Sequence, residues 1–384
     1  MEDALLICGS IALVAWLYLV LFHGRFWRTD LLLAESEPSS RPAGLVAVVI
    51  PARNEAESIG RAVCSLLNQT CSEEIRIFVV DDNSNDGTAD AARAGAGVDH
   101  SKLQIIVGQP LPPGWTGKLW AVHQGIENAL ELNPNFLLLT DADIEHAHDN
   151  VATLVSIAEN QHYDLVSFMA KLHCRTLAER LLIPAFVFFF FMLYPPLWIR
   201  SSRRRTAGAA GGCMLIRPEA LQRAGGISAI RSAIIDDCTL ARRVKQSGGR
   251  VWLGLTQETR SLRRYESFAE IERMIARTAF NQLSHSVALL IGAMLGMALL
   301  YLFPLFLLVT GERAAKLLGA ATCLVMLIAY LPMVHFYGLQ PSWALTLPLS
   351  AVFYICATMD SAIRFWTGRG GQWKGRAQDQ NAPQ

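Results

Sequence analysis

Hydrophobic positions along this chain follow two patterns. In the middle, short apolar runs alternate with amphipathic stretches; at the two ends, the apolar runs are long and uncharged. The middle runs are "LVAVVIPA" (45–52), "IRIFVV" (75–80), "LQIIVG" (103–108) and "NFLLLT" (135–140). Continuous apolar runs of this length fit strands buried on both faces. Between them, "NEAESIGRAVCSLLNQ" (54–69) places Ile59, Val63, Leu66 and Leu67 on one helical face, with Asn54 as the expected N-cap. "DDNSND" reads as a loop leading into an alanine-rich helix, and "KLWAVHQGIENALEL" (118–132) as another helix. This order predicts an α/β domain whose largely parallel sheet is covered by helices on both faces.

The end runs predict membrane helices. "ALLICGSIALVAWLYLVLF" (4–22) holds no charge, and about 20 such residues cross a hydrocarbon core. Glu2 and Asp3 precede it while Arg25 and Arg28 follow, which fits an uncleaved anchor with its N-terminus outside and not a signal peptide. The runs at 286–311, 317–338 and 342–359 predict three further spans. "LLIPAFVFFFFMLYPPLWI" (181–199) carries three prolines and sits inside the otherwise soluble region, so it is expected to lie in the membrane interface. The expected units are an anchor and linker (1–41), an α/β domain (42–285) and a C-terminal membrane region (286–384). One anchor plus three spans would put the basic tail at 364–376 outside, against the positive-inside rule. The sequence leaves the number of spans open.

Charge removes one function class. The chain has 34 Lys+Arg against 33 Asp+Glu, a net charge of +1, with none of the basic excess that nucleic-acid binding requires. Its eight cysteines are scattered without a C-x-x-C pair, which fits reduced or buried thiols and not a zinc framework.

The candidate chemistry lies where strands end. Ligands of parallel sheets bind at the carboxyl ends of the strands, and two runs end in paired aspartates: Asp81 with Asp82, and Asp141 with Asp143. If the extended form persists, Asp141 and Asp143 point the same way and repel unless a cation joins them. Oxygen ligands of this kind select Mg2+ or Mn2+. The plainer reading is a loop whose aspartates cap a helix. No G-x-G-x-x-G follows the first strand, where "IPARNEAES" stands, and no P-loop occurs, so phosphates must be held by metal and side chains. His146 and His148 are expected to be loop or solvent histidines.

Six segments, in order, resemble glycosyltransferase family 2: "VVIPARNEAESIGRAVCSLLNQ", "VVDDNSNDGT", "GKLWAVHQG", "LLLTDADIEH", "GGCMLIRPEAL" and "IDDCTLARRVKQSGGR". The layout, with "PLPPGWTGKLWA", "FVFFFFMLYP" and the C-terminal runs, looks like the hopene-associated subgroup. The resemblance implies an inverting enzyme of GT-A fold, a Rossmann-like mixed sheet, with Mg2+ or Mn2+ as cofactor. Its donor would be a nucleotide sugar, most simply a UDP-sugar, and its acceptor a membrane lipid. It implies that Pro51, Arg53 and Glu55 line the nucleotide pocket and that Asp82 or Asp81 binds the base. Lys118 would approach the nucleotide phosphates, Asp141 the ribose or metal, and Asp143 the metal. Asp237 would be the catalytic base with Asp236 its helper, while Gly211, Gly212 and Cys213 form the floor under the acceptor. The processive Q-x-x-R-W is missing; "RMIARTAF" keeps only Arg277, which with Arg273 could meet the donor diphosphate. That departure favours transfer of a single sugar. "RSSRRR" (200–205) is expected to touch anionic headgroups. The implied location is a bacterial inner membrane, multi-pass, with the catalytic domain cytoplasmic. The competing readings are polyprenyl-phosphate glycosyl transfer and a non-catalytic nucleotide-sugar-binding membrane protein.

Overall fold

The computed structural model describes residues 2–33, 44–71, 73–97 and 100–369, with two short strands at 372–373 and 376–377. The linker at 34–43 and much of the basic tail lie outside the described residues. Eight strands form one sheet: β1 (Leu45–Ala52), β2 (Glu74–Asp81), β3 (Leu103–Val107), β4 (Phe136–Thr140), β5 (Ile144–Glu145), β6 (Leu165–Lys171), β7 (Cys213–Ile216) and β8 (Val251–Ser261). Their order is β3-β2-β1-β4-β7-β6-β8-β5. β1 pairs in parallel with β2 and β4, and β2 with β3, as the sequence pattern predicts. β7 then enters antiparallel between β4 and β6, β8 runs parallel to β6, and β5 is antiparallel to β8. The sheet is therefore mixed. β1, β2, β3, β4, β6 and β8 all end on one edge, where β7 begins.

Alternation within the strands divides the core in two. Val46, Val48 and Ile50 of β1 face one layer with Ile59, Val63 and Leu66, followed by Val151, Leu154 and Val155 of the helix Asn150–Asn160. Ala47 and Val49 face the other, with Leu119, Val122 and Ile126 of the helix Gly117–Leu130. This second layer continues without a break into Phe188, Tyr330, Met333 and Tyr354 of the apolar helices.

Five helices among the described residues are long and apolar enough to cross a membrane: Glu2–Phe22, Leu177–Arg200, Val287–Thr310, Arg313–Phe336 and Pro341–Trp366. The prolines of the 181–199 run do not stop a helix over Leu177–Leu193, and the chain breaks only at Tyr194, before Pro195 and Pro196. The helix begins with a capping box in which Thr176 and Glu179 serve each other's backbone N–H groups. Two-thirds of its apolar window (67%) is buried inside the protein. Ser350 and Tyr354 donate to the carbonyls of Leu181 and Leu182 at 2.8 and 3.2 Å, fixing it against the helix Leu347–Trp366. It joins the sheet domain to the other long apolar helices.

Three local expectations are corrected. The first helix spans Ile59–Leu67, and Asn54 is not its N-cap. Asn54 has φ 52°, and its side chain accepts from the Asn85 backbone across to the next loop at 3.0 Å. Asparagine tolerates the left-handed region because its short polar side chain bonds locally. Arg200 of the basic run does not face headgroups: its guanidinium stacks 4.3 Å over the Trp252 ring and donates to Leu253 O at 3.0 Å. Arg203, Arg204 and Arg205 are exposed. His146 is buried, not solvent-facing. Its ring contacts Thr140 Oγ1 at 3.0 Å and Asn150 Nδ2 at 2.9 Å, and burial pushes its pKa down to about 3. His148 is exposed, as expected.

Candidate active site

Two loops at the strand ends are cross-linked into one wall. Asn54 N donates to Ser84 Oγ at 3.0 Å, Glu55 N to Thr88 Oγ1 at 2.9 Å and Ala56 N to Asp86 Oδ2 at 3.0 Å. Short polar side chains in "DDNSNDGT" thus satisfy the backbone donors of "RNEA", which no strand or helix serves. Arg53 closes the wall, reaching Asp82 O at 2.5 Å and Asp82 Oδ2 at 3.6 Å. Asp82 is almost fully buried (2% exposed), while Asp81 is half-buried and accepts from Ser84 N at 2.9 Å. Pro51 lies at the end of β1 and lines the adjoining pocket.

The centre of the site is Lys118. Thr116 caps the helix Gly117–Leu130 through Leu119 N, so Lys118 emerges from the first turn. Its ammonium lies 2.9 Å from Asp141 Oδ1 and 3.1 Å from Asp236 Oδ2. Burial works against this charge, but Asp141 and Asp236 outweigh it and hold the ammonium above the usual lysine range. The strand-end and helix-start carboxylates are thereby joined through one cation.

Beyond Thr140 the extended form does not persist. Asp141 to Asp143 make a turn, closed by Ile144 N donating to Asp141 O at 3.3 Å. The two aspartates therefore diverge from the expected side-by-side arrangement: Asp141 meets Lys118, whereas Asp143 Oδ2 accepts from Ser261 Oγ at 3.4 Å and its carbonyl from Leu262 N at 2.7 Å. They still feel each other. Burial, then the charges of Asp141 and Glu55, push Asp143 up to about 6, against the pull of Arg263.

Asp236 and Asp237 open the helix Asp236–Gln246, where carboxylates complement the exposed N–H groups. Asp237 Oδ1 accepts from Cys238 N at 2.6 Å and Oδ2 from Gly211 N at 2.9 Å. Burial and the neighbouring Asp236 charge nevertheless push Asp237 up to about 6. A Cβ at Gly211 would meet Asp237 Oδ2 at 3.4 Å and Lys118 Nζ at 3.5 Å, ordinary contact distances, so what Gly211 gives the site is its backbone N–H. Gly212 hands its carbonyl to Thr140 Oγ1 at 2.7 Å.

One floor residue is misassigned by the sequence reading. Cys213 is fully buried on the far face of β7, against Asn150. Its neighbour Met214 lines the pocket instead, with Ile227, Ile230 and Leu240. Strand alternation from Gly211 gives this assignment directly, once β7 is known to start at Cys213. Arg273 and Arg277 are exposed near the end of the helix Phe268–Ala276. The Tyr265 hydroxyl feels Arg263, Asp143 and Arg277 together. The sequence reading missed Tyr265, Ser261 and Arg263, which reach the site only because β8 ends beside β5.

Among the described residues, no three His, Cys, Asp or Glu groups are already gathered as a metal cage. The donor chemistry still fits a hard divalent cation. Asp143 is a half-buried carboxylate crowded by the charges of Asp141 and Glu55, a strain that a cation would relieve.

Residues 47–225 match the family described as Glycosyl transferase family 2. The fold is that of GT-A glycosyltransferases. Across 95% of this chain and 98% of the other, it superposes on the mannosyltransferase PcManGT from Pyrobaculum calidifontis in complex with GDP-Man and Mn2+, with a TM-score of 0.53 at 17% identity. An undecaprenyl-phosphate 4-deoxy-4-formamido-L-arabinose transferase of Aeromonas hydrophila is 33% identical over 130 residues, covering 33% of this chain and 37% of the relative. A 4,4'-diaponeurosporenoate glycosyltransferase of Staphylococcus haemolyticus is 30% identical over 142 residues, covering 36% of each. The chain thus spans little more than a third of the length of these curated relatives.

Proposed function

We propose that this protein is a membrane-bound, metal-dependent, inverting glycosyltransferase that moves one sugar from a nucleotide-sugar donor, a UDP-sugar in the simplest case, to a lipid acceptor. The observation that carries the reading is the Lys118 bridge between Asp141 and Asp236, which sets a donor-side and an acceptor-side carboxylate across one pocket. On this reading Pro51, Arg53, Glu55, Asp81 and Asp82 hold the nucleoside. Asp143, with Asp141, holds Mg2+ or Mn2+, whose role is to neutralise the leaving diphosphate. Lys118 and Arg277 add positive charge near the diphosphate. Asp237 takes the acceptor's proton as its oxygen attacks the anomeric carbon opposite the leaving group, with Asp236 as its helper. A carboxylate near pKa 6 is ionised at neutral pH and still basic enough for that task.

The helices that could cross a membrane, fused through one core to the sheet, suit a lipid acceptor presented at the membrane surface. We place the catalytic domain on the cytoplasmic side of a bacterial inner membrane. On the resemblance to the hopene-associated subgroup, that lipid would be a hopanoid or similar polycyclic alcohol. The names of the curated relatives favour a second reading, transfer to a polyprenyl phosphate. The test is nucleotide release by the purified protein with extracted bacterial lipids, a panel of nucleotide sugars and Mn2+ or Mg2+. Release that requires both one donor and lipid supports the transferase. Absence of any donor binding contradicts it, and donor binding without release across acceptors points to a non-catalytic binding protein.

A further inference from the structure

On the active edge of the sheet, a group of cations lies where the membrane helices meet the strand ends. Lys171 closes β6 and stands in register with Arg260 of β8. Arg260 pairs across with Glu145 of β5, and the next residue, Ser261, bonds Asp143. Lys171 and Arg260 are therefore within a few residues of the metal carboxylate. Arg263, just beyond, acts on the same carboxylate.

Lys171 reaches away from the sheet towards the membrane region. Its ammonium lies 5.1 Å from the Phe336 ring centre and 5.9 Å from that of Tyr337. Phe336 ends the apolar helix Arg313–Phe336 and, with Tyr337, is buried in the core that joins this helix to the sheet. Among the described residues, none of Lys171, Arg260 and Arg263 makes an ion pair. Burial, then the charge of Arg260, lowers the Lys171 pKa, the expected result of two cations facing each other with no anion between them. Ring faces attract a cation weakly; they do not neutralise it.

We propose that Lys171 and Arg260 form the headgroup subsite of the acceptor, and that the acceptor is a lipid bearing a terminal phosphate. The inference rests on the lipid-acceptor reading above and chooses within it, for a phosphorylated lipid and against a neutral polycyclic alcohol. Lysine and arginine together suit a phosphate, one as a point charge and the other as a planar fork. The lipid tail would run towards the apolar helix that Phe336 ends. In the transfer, a phosphate oxygen forms the bond to the anomeric carbon as the bond to the nucleotide diphosphate breaks. The diphosphate leaves with the electron pair, and any proton left on the phosphate monoester passes to Asp237.

The test uses the full chain in phosphatidylcholine nanodiscs carrying either a polyprenyl phosphate, the matching neutral polyprenol, or phosphatidylglycerol. Lipid retention is read by native mass spectrometry, and nucleotide-sugar affinity is measured on the same samples. The expected result is retention of the polyprenyl phosphate about tenfold or more above the other two lipids. Lys171→Met with Arg260→Met should lose that preference and leave donor affinity within about twofold, and Lys171→Arg should keep it. Inorganic phosphate should displace the lipid only weakly, because it lacks the tail. Equal retention of the polyprenol overturns the proposal, as does a preference unchanged in the double variant. Equal retention of phosphatidylglycerol overturns the acceptor role and leaves a general membrane contact. Displacement by inorganic phosphate at the lipid's own concentration would make this a site for the free anion, also against the proposal. Preferential lipid retention without donor binding would sink the transferase reading alone, whereas donor binding without lipid preference would sink only the subsite.

Discussion

Two acidic pairs face each other in this site, and their folding contexts differ. Asp141 and Asp143 stand in the turn that ends β4, whereas Asp236 and Asp237 begin a helix. In each pair one member meets Lys118, at 2.9 and 3.1 Å. In each pair the other member is pushed up to about 6, mainly by burial. Their remaining contacts separate their chemistry. Asp143 meets a serine hydroxyl and is crowded by Asp141 and Glu55, a setting that asks for a cation. Asp237 is held by two backbone N–H groups beside the pocket that Asp236 and Gly211 line, and on the proposed reading it takes the acceptor's proton. On the proposed reading, one lysine between two carboxylate pairs separates a metal ligand from a base.

The comparison breaks most severely at Asp237. Asp237→Asn keeps the shape and removes the base; kcat should fall about 10²–10⁴-fold with donor affinity nearly unchanged, as equilibrium binding alongside steady-state rates would reveal. Asp143→Asn should do the reverse and abolish the metal dependence of donor binding in a titration with and without Mn2+. In metal-free protein the same change should raise stability by about 1 kcal/mol or more at neutral pH, because a disfavoured buried charge is gone. Thermal unfolding would show it, and a lower Tm for metal-free Asp143→Asn would contradict the assigned strain.

Lys118→Met removes the link itself and leaves both carboxylate pairs uncompensated. A stability loss of about 2 kcal/mol is expected, together with weaker donor binding and slower turnover, which neither aspartate variant shows at once. The pH dependence separates the pairs more gently. With Mn2+ saturating, kcat/KM should fall about tenfold per pH unit below about 6 as Asp237 becomes protonated. Since its folded-state pKa lies above the ordinary aspartate value, Asp237 favours the fold when protonated. That contribution is complete at low pH and lost as pH rises through about 6, so metal-free protein should gain from this group between pH 7 and 5. The smallest effect is expected at Cys213→Ala: a modest loss of stability from a buried position and unchanged kinetics, because Met214 and not Cys213 faces the pocket.

Much of this layout is written locally in the chain. The apolar runs at β1 and β4 are continuous because both sheet faces are covered, whereas the equally apolar run of β3 lies half-buried to exposed at the sheet edge; the polar ends of the runs mark the active edge. The aspartates were legible for the same reason: each interrupts an apolar run or starts a helix. What local pattern does not carry is pairing between distant segments. Nothing near "CMLI" announces that β7 enters antiparallel between β4 and β6, so Cys213 appeared to face the acceptor. Nothing near Thr140 shows that the chain turns at once, which separates Asp141 from Asp143. His146 looked exposed because its partners Thr140 and Asn150 close around it only in the folded turn. Lys118 was readable as a site residue, but its bridging position depends on a helix start more than a hundred residues later.

The central claim is that the two acidic pairs divide metal-assisted donor binding from acceptor activation. The most direct measurement is lipid-dependent nucleotide release with Mn2+, made in parallel on the wild type, Asp143→Asn and Asp237→Asn, with donor affinity taken on each. The account predicts release only in the wild type, donor affinity lost in Asp143→Asn and donor affinity retained in Asp237→Asn. Undiminished release by Asp237→Asn, or metal-dependent donor binding that survives in Asp143→Asn, would contradict it.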